Sequence, residues 1–192
     1  MTTRGKLIVL SGPSGSGKST VIDRLLQKLP IDIEVCPSVT TRPPRKDDTH
    51  TKKYLHLEFD KFQEARENGE LLEYAQVSGH WYGTPRQPVE DARNDGRTML
   101  LEIDVQGGMS VKKLYPDCLM IFLKAESIDE VERRIRHRGT NSEEEINRRL
   151  EAARRELAHA SEYDHQVIND DLDRAVQEIY EILIRCGGTA SA

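Results

Sequence analysis

Aromatic side chains are scarce in this chain, at 5% of its residues, with a single tryptophan and three phenylalanines. Its core must therefore be built from aliphatic side chains. Cysteine is scarcer still, and Cys36, Cys118 and Cys186 are odd in number and widely spaced. That excludes a disulfide framework, and no C-x-x-C pair or His/Cys cluster offers a structural metal site. The three read as reduced thiols, with Cys118 packing as a small hydrophobe in the run Cys118–Leu123. The start, Met1 to Lys6, lacks the apolar stretch of a secretory leader, which predicts a cytoplasmic protein. No apolar run approaches the length of a bilayer span, so a membrane location is not expected. Positive charge is not in excess either: the net charge is −5, which leaves no overall electrostatic footprint for nucleic acid. Any cationic function must be local.

What is present is 36% hydrophobic and 32% charged over 192 residues, enough for one sizeable core under a charge-rich surface. The most informative stretch is Gly12-Pro13-Ser14-Gly15-Ser16-Gly17-Lys18-Ser19-Thr20. It follows the apolar run Leu7–Leu10 and opens the helical pattern Val21, Ile22, Leu25, Leu26, Leu29. This is G-x-x-x-x-G-K-S in the strand-to-helix context that gives the motif its meaning. Glycines let successive backbone N–H groups turn inward around an anion, and the helix start adds its positive dipole end. Lys18 is placed to reach the β- and γ-phosphates, and the Ser19 hydroxyl to ligate Mg²⁺. A nucleoside triphosphate is the implied ligand.

Buried parallel strands are expected at 6–10, 33–36, 98–104 and 118–123, with a weaker one at 165–169. Helical patterns at 17–28, 106–114, 127–137 and 172–186 alternate with them. That alternation predicts an α/β fold with a five-stranded parallel sheet and the phosphate loop at its carboxyl edge. Two stretches break the pattern. Residues 37–90 are rich in Thr, Tyr, Pro and Arg, with short strand-like pieces and one helix near 60–68 ended by Gly69, and read as an inserted α+β lobe. Residues 126–160 are charged and helical, broken at Gly139-Thr140-Asn141, with sparse apolar positions at Val131, Ile135, Ile146, Leu150 and Leu157. Such a segment buries little, is expected to be mobile, and is a candidate lid. The expected organisation is one domain over 1–192: a core of about 1–36, 91–125 and 161–186, a lobe of about 37–90 and a lid of about 126–160. Neither repeats nor low-complexity tracts occur, and only the tail from Gly187 to Ala192 reads as disordered.

The inserted stretch carries a second signal, Ser38-Val39-Thr40-Thr41-Arg42-Pro43-Pro44-Arg45. Two arginines stand on a segment stiffened by consecutive prolines, and a guanidinium fork matches phosphate oxygens bidentately. Alone, such a segment is more often a solvated basic loop. Further on, Glu73 precedes Tyr82-Gly83-Thr84-Pro85. A carboxylate can accept from the N1–H and 2-amino group of guanine, whereas adenine offers it a lone pair at N1; a site built to pair such donors rejects an analogue lacking them.

Taken together, Gly12–Thr20, Ser38–Arg45, Glu73, Tyr82–Pro85, Glu102-Ile103-Asp104-Val105-Gln106-Gly107, Arg138-Gly139-Thr140 and Asn169-Asp170-Asp171 resemble the guanylate kinase (GMP kinase) family, from about Lys6 to Ile184. The resemblance implies a P-loop nucleoside monophosphate kinase fold whose inserted lobe binds the monophosphate. It also implies Mg²⁺-dependent transfer of the ATP γ-phosphoryl group to GMP. By the same resemblance Arg42, Arg45 and Tyr54 hold the GMP phosphate, with Tyr82 completing that pocket. Ser38, Glu73 and Thr84 resemble the guanine-reading set, with Glu102 at a position that is often Asp in the family. Asp104 is implied on the GMP side and as a ligand of Mg²⁺ through water. Arg134, Arg138 and Arg149 match lid arginines that meet the ATP phosphates, although Glu145 before Arg149 also fits an ordinary surface pair. Asn169 matches a residue near the adenine. Lys18, Arg42, Arg138 and Arg149 are the implied catalytic residues, ATP and GMP the partners, with no nucleic acid and no membrane. The chain departs from the family at Lys46–Thr51, where a Gly-Glu pair is usual, and at Ala125-Glu126-Ser127, where Pro-Pro-Ser is usual. Two other readings remain open here. One is a guanylate-kinase-like interaction module without catalysis, against which the intact loop, both arginines and Glu73 speak. The other is a different small-molecule kinase on the same scaffold, which would have no use for a guanine-reading set.

Overall fold

A computed structural model describes residues 4–44, 54–77, 79–137 and 142–186. The expected alternation forms one five-stranded parallel sheet. Its strands are β1 (Leu7–Ser11), β2 (Glu34–Val35), β7 (Met99–Glu102), β8 (Leu119–Lys124) and β9 (His165–Ile168), in spatial order β2-β7-β1-β8-β9. Strand β1 is central, with Leu7 paired to Met99 on one side and Ile8 to Leu119 on the other. Its side chains show why the run has no polar alternation. Leu7 and Val9 enter one core with Leu101, Met120 and Phe122; Ile8 and Leu10 enter the other with Leu100, Ile121 and Leu123. A strand buried on both faces must be apolar at every position.

Helices α1 (Lys18–Lys28) and α7 (Leu172–Arg185) cover the second core through Val21, Ile22 and Leu25, and through Val176, Ile179 and Leu183. The first core lies under α4 (Val105–Leu114), with Tyr163 set edge-on to Phe122 at 5.0 Å. None of the helices in the described residues is long and apolar enough to cross a membrane. Cys36 and Cys118 are buried and Cys186 half-buried, and all three are free thiols.

The inserted stretch forms a second sheet, ordered β4 (Tyr54–His56), β3 (Ser38–Thr40), β6 (His80–Pro85), β5 (Leu71–Val77). Helix α2 (Phe59–Glu67) packs Phe62 against Val39, Leu71 and Trp81 on one face of it. The opposite face is polar, and it turns toward the phosphate loop. Helix α3 (Arg86–Asn94) was not apparent in the sequence, because it is short, charged and contains Pro88. A proline in the first turn costs no intrahelical bond. Val89 and Ala92 of α3 lie in the main core.

Two further helices, α5 (Ile128–His137) and α6 (Glu143–Leu157), form the charged pair. Their sparse apolar residues do not scatter: Val131, Ile135, Ile146 and Leu150 meet with Ala125 and Ala153 in a small core of their own. Leu157 instead packs against the main core. Ser142 caps α6 by accepting from the Glu145 N–H, ahead of Glu143, Glu144 and Glu145 in the first turn. Both features favour a helix start at that point.

Candidate active site

The phosphate loop joins β1 to α1, and two of its glycines are required by what surrounds them. A Cβ on Gly12 would lie 1.9 Å from the Leu123 carbonyl oxygen of the neighbouring strand. Gly17 caps α1 with φ 92°, and a Cβ there would lie 2.5 Å from the Asn169 amide nitrogen. A side chain at either position would open the loop. Lys18 lies back along the loop, donating to the carbonyl oxygens of Gly12 at 2.7 Å and Pro13 at 3.1 Å. The Ser19 hydroxyl donates to Glu102 Oε1 at 2.7 Å.

Side chains from outside the loop hold its main chain in place. Asn169, buried just after β9, donates from Nδ2 to the Ser16 carbonyl at 2.7 Å. Arg134 of α5 donates to the carbonyls of Asn169 at 2.8 Å and Ser16 at 3.4 Å, and its Nε is held by Glu130. Arg149 of α6 donates from Nη2 to Ser14 Oγ at 2.6 Å. Arg134, Arg149 and Asn169 thus converge on the loop, with Arg134 and Asn169 directed at its backbone.

Facing the loop is the polar side of the second sheet. Pairing sets Glu73 opposite Thr84, Ala75 opposite Tyr82, and Ser38 beside Tyr54. Because side chains alternate along a strand, Glu73, Ala75 and Val77 point one way, as do Tyr82 and Thr84. Thr84 Oγ1 donates to Glu73 Oε1 at 2.6 Å, with both residues buried. The other carboxylate oxygen of Glu73 lies where a Cβ on Gly107 would be, 2.5 Å away, so Gly107 is required for that carboxylate to sit at the head of α4. Asp104 caps the same helix, accepting from the Gly107 N–H at 2.8 Å. Arg42 is buried, with its guanidinium 5.2 Å from the Tyr54 ring centroid, and Tyr54 meets Tyr82 edge-on at 6.5 Å. Arg45, Arg138 and the 46–51 loop lie outside the described residues.

One cavity joins these walls. Ser14, Lys18 and Ser19 line it on one side, Ser38, Tyr54, Glu73 and Tyr82 on the other, with Glu102 and Asp104 on its floor. Glu102 was expected beside the guanine and lies in this cavity with its carboxylate bonded to Ser19.

A model of the guanylate kinase family matches residues 4–185. The chain belongs to the guanylate kinase family. It is 44% identical over 181 residues to a guanylate kinase of Synechococcus sp. (strain JA-3-3Ab), covering 94% of this chain and 83% of that one. It is likewise 44% identical to a guanylate kinase of Trichodesmium erythraeum, covering 93% and 96%. Among solved structures, a guanylate kinase from Anaplasma phagocytophilum superposes with a TM-score of 0.77 at 32% identity, covering 95% of this chain and 86% of that one.

One more group stands in the cavity. Glu156 of α6 lines it as well, and sequence reading missed it. The only signal was its spacing, two turns after Arg149 on the same helix face, in a segment where charge is everywhere. Burial pushes the Glu156 carboxyl above its ordinary value; the Lys18 ammonium and the Ser14 N–H pull the other way, and Asp104 adds to the rise.

Oxygen donors dominate around Ser19. Its hydroxyl and the carboxylates of Glu102 and Asp104 suit a hard cation such as Mg²⁺, which takes few protein ligands and completes its shell with phosphate oxygens and water. Among the described residues no group of three His, Cys, Asp or Glu side chains is arranged to hold a metal by itself. The donor set therefore fits an ion that arrives with a nucleotide.

Proposed function

We propose that the chain transfers the γ-phosphoryl group of ATP to GMP, giving ADP and GDP. The observation that carries this reading is one cavity with the phosphate loop on one wall and Glu73, to which Thr84 donates, on the other. Gly12–Thr20 cradle the donor's phosphates, with Lys18 turning from the loop carbonyls to the β- and γ-phosphates. Arg134 of α5 and Arg149 of α6 supply positive charge, joined by Arg138 through its match to the family motif. Asn169 fixes the loop and borders the adenine. Ser38, Glu73 and Thr84 read the guanine, while Arg42, Tyr54, Tyr82 and, again by motif, Arg45 hold the acceptor phosphate. Ser19 and Asp104, with Glu102 between them, would hold Mg²⁺, whose chemistry is to neutralise charge building on the transferring group.

No general base is needed. A phosphate monoester has its second pKa near 6, so the acceptor is already mostly ionised at neutral pH. The difficulty is to bring two polyanions into line and stabilise charge spread over the moving phosphoryl group. Lys18 and these arginines act on that difficulty, and the inward-facing loop amides add to them. Residues 37–85 act as the acceptor lobe and 126–160 as the lid; closing them over both nucleotides excludes water as a competing acceptor. Free thiols, two of them buried, suit a reducing compartment, so we assign the activity to the cytoplasm.

One coupled assay tests this reading: ADP production from ATP with GMP, AMP or UMP as acceptor. Turnover is expected with GMP and little with the others. Lys18→Ala should lose at least about 100-fold in kcat. Glu73→Gln should lose at least about 100-fold in kcat/KM for GMP, because its amide would face the guanine donors with a donor of its own. Equal use of all three acceptors, or a Glu73→Gln enzyme with an unchanged acceptor profile, would overturn it.

A further inference from the structure

Glycine is a poor helix former, yet Gly107 and Gly108 stand side by side at the start of α4. Both have ordinary helical backbone that alanine would share, so conformational freedom explains neither. Gly108 is explained by packing: a Cβ there would lie 2.6 Å from the Tyr163 hydroxyl and 2.9 Å from Ser11 Oγ. Gly107 differs. The atoms a Cβ would crowd there both belong to the Glu73 carboxyl group, Oε2 at 2.5 Å and Cδ at 3.0 Å, while the next, Ile103 Cβ at 3.4 Å, is an ordinary contact. Glu73 comes from β5 of the inserted sheet, is 7% exposed, and has its other oxygen fixed by the Thr84 hydroxyl at 2.6 Å. Glu73 lines the cavity and Gly107 does not. The carboxylate therefore sits between the head of α4 and the cavity.

We propose that Gly107 is a positioning residue for the acceptor base: by carrying no side chain it lets the Glu73 carboxylate sit back against α4, and a Cβ there would push that carboxylate into the space the guanine takes. The inference rests on the reading that Glu73 accepts from the guanine. Moving the end of a flexible side chain costs little, so the fold would absorb an alanine. The site would not. Reading guanine takes acceptor positions matched to the N1–H and the 2-amino group together, and a carboxylate moved by about 1 Å meets neither in good geometry. The Thr84 hydroxyl is carried by β6, so its bond to Oε1 would lengthen as the carboxylate moved. The start of α4 also attracts negative charge, and a carboxylate pushed away from it loses part of that attraction. Helix stability is thus given up at position 107 in favour of base recognition.

The test is steady-state kinetics with GMP, AMP and ATP varied in turn, together with thermal melts, on Gly107→Ala. Its kcat/KM for GMP should fall about 100-fold, the size of a misplacement of about 1 Å, with KM for GMP carrying most of the loss. KM for ATP should change by less than about twofold. Discrimination against AMP should narrow by a similar factor to the GMP loss, since adenine makes no use of the carboxylate. The melting temperature should stay at the wild-type value or rise. Gly108→Ala, which crowds Tyr163 and Ser11, should lower it instead. Gly107→Ser adds the same Cβ and carries the test if the alanine variant does not fold. In a Glu73→Ala background the change at 107 has no carboxylate to displace and should alter kcat/KM for GMP by less than about twofold. Unchanged GMP kinetics in a folded Gly107 variant, or a loss of equal size in the Glu73→Ala background, overturns the proposal. If Glu73→Ala by itself leaves GMP kinetics unchanged, the guanine reading fails and the proposal fails with it.

Discussion

Among the described residues Arg93 is the largest fully buried side chain, 2% exposed, and its guanidinium pairs with Asp117 at 2.9 Å. The remaining Nε and Nη1 are buried without hydrogen bonds, over the face of the Tyr115 ring at 4.7 Å. Burying a charge is costly, and breaking its pair leaves the cost uncompensated, whereas an apolar replacement removes the cost altogether. Asp117 is 70% exposed, so the pair itself is screened. Asp117→Asn should therefore lower stability by only about 1 kcal/mol. Adding Arg93→Met should restore most of that loss, which thermal melts of the single and double variants would reveal. A double variant less stable than the single one would mean that the guanidinium contributes more than its charge. At this scale the sequence is legible where a side chain carries a distinctive group in a distinctive context, as with Lys18 and Glu73, which both line the cavity. Neither Arg93 nor Glu156 is, because a charged residue in a charge-rich helix looks the same whether it meets solvent or a cavity.

Among elements, the pair α5 and α6 shows how a nearly all-charged segment holds together. Its apolar core is small, and ion pairs on the surface add to it: Arg136 of α5 reaches Glu143 of α6, and Glu130 accepts from Arg133 and Arg134, each at 2.7 Å. Those bonds, Arg133 first and then Arg134, hold the Glu130 carboxyl down at about 2, against an ordinary 4.5. A proton therefore binds the unfolded chain more readily than the folded one. The contribution is complete above about pH 4.5 and fades as the pH falls toward 2. Glu130→Gln should lower the melting temperature by about 2 °C at neutral pH, a small effect because the site is exposed. The gap between variant and wild type should close between about pH 4.5 and pH 2.5. A gap that persists at low pH would assign the loss to packing rather than charge. The inner strands β1, β7 and β8 were legible because burial on both faces leaves an unbroken apolar run, as in Leu7–Leu10 and Leu119–Leu123. The second sheet was legible only as short strand-like pieces. The pairing that sets Glu73 opposite Thr84 joins separate strands and involves a register shift after Leu71, which no local pattern encodes.

Over the whole molecule the two walls of the cavity belong to different layers, the loop to the parallel sheet and Glu73 to the inserted one. The fold fixes them around a common cavity. Two ligands bound there would meet through their phosphates, so a single molecule carrying both bases on one polyphosphate chain should engage both walls. Linking two binding events makes the second one intramolecular, and where the geometry allows both to be satisfied the gain over either part alone is about 10²–10⁴-fold. Adenosine and guanosine joined 5′ to 5′ through a polyphosphate should accordingly bind far more tightly than ADP or GMP, with a chain-length optimum where the linker spans the cavity. That gain depends on both ends, and the variants used above separate them. Lys18→Ala should weaken the linked ligand by removing its hold at the loop, and Glu73→Gln should weaken it by removing the guanine's. Each should bring its affinity down toward that of the single nucleotide still held. The corresponding ligand with adenosine at both ends should gain little, since its second base meets a carboxylate where it has no donor at N1. If the linked ligand binds no better than ADP at any chain length, the two walls are not occupied together, and phosphoryl transfer across this cavity would lose its geometric basis.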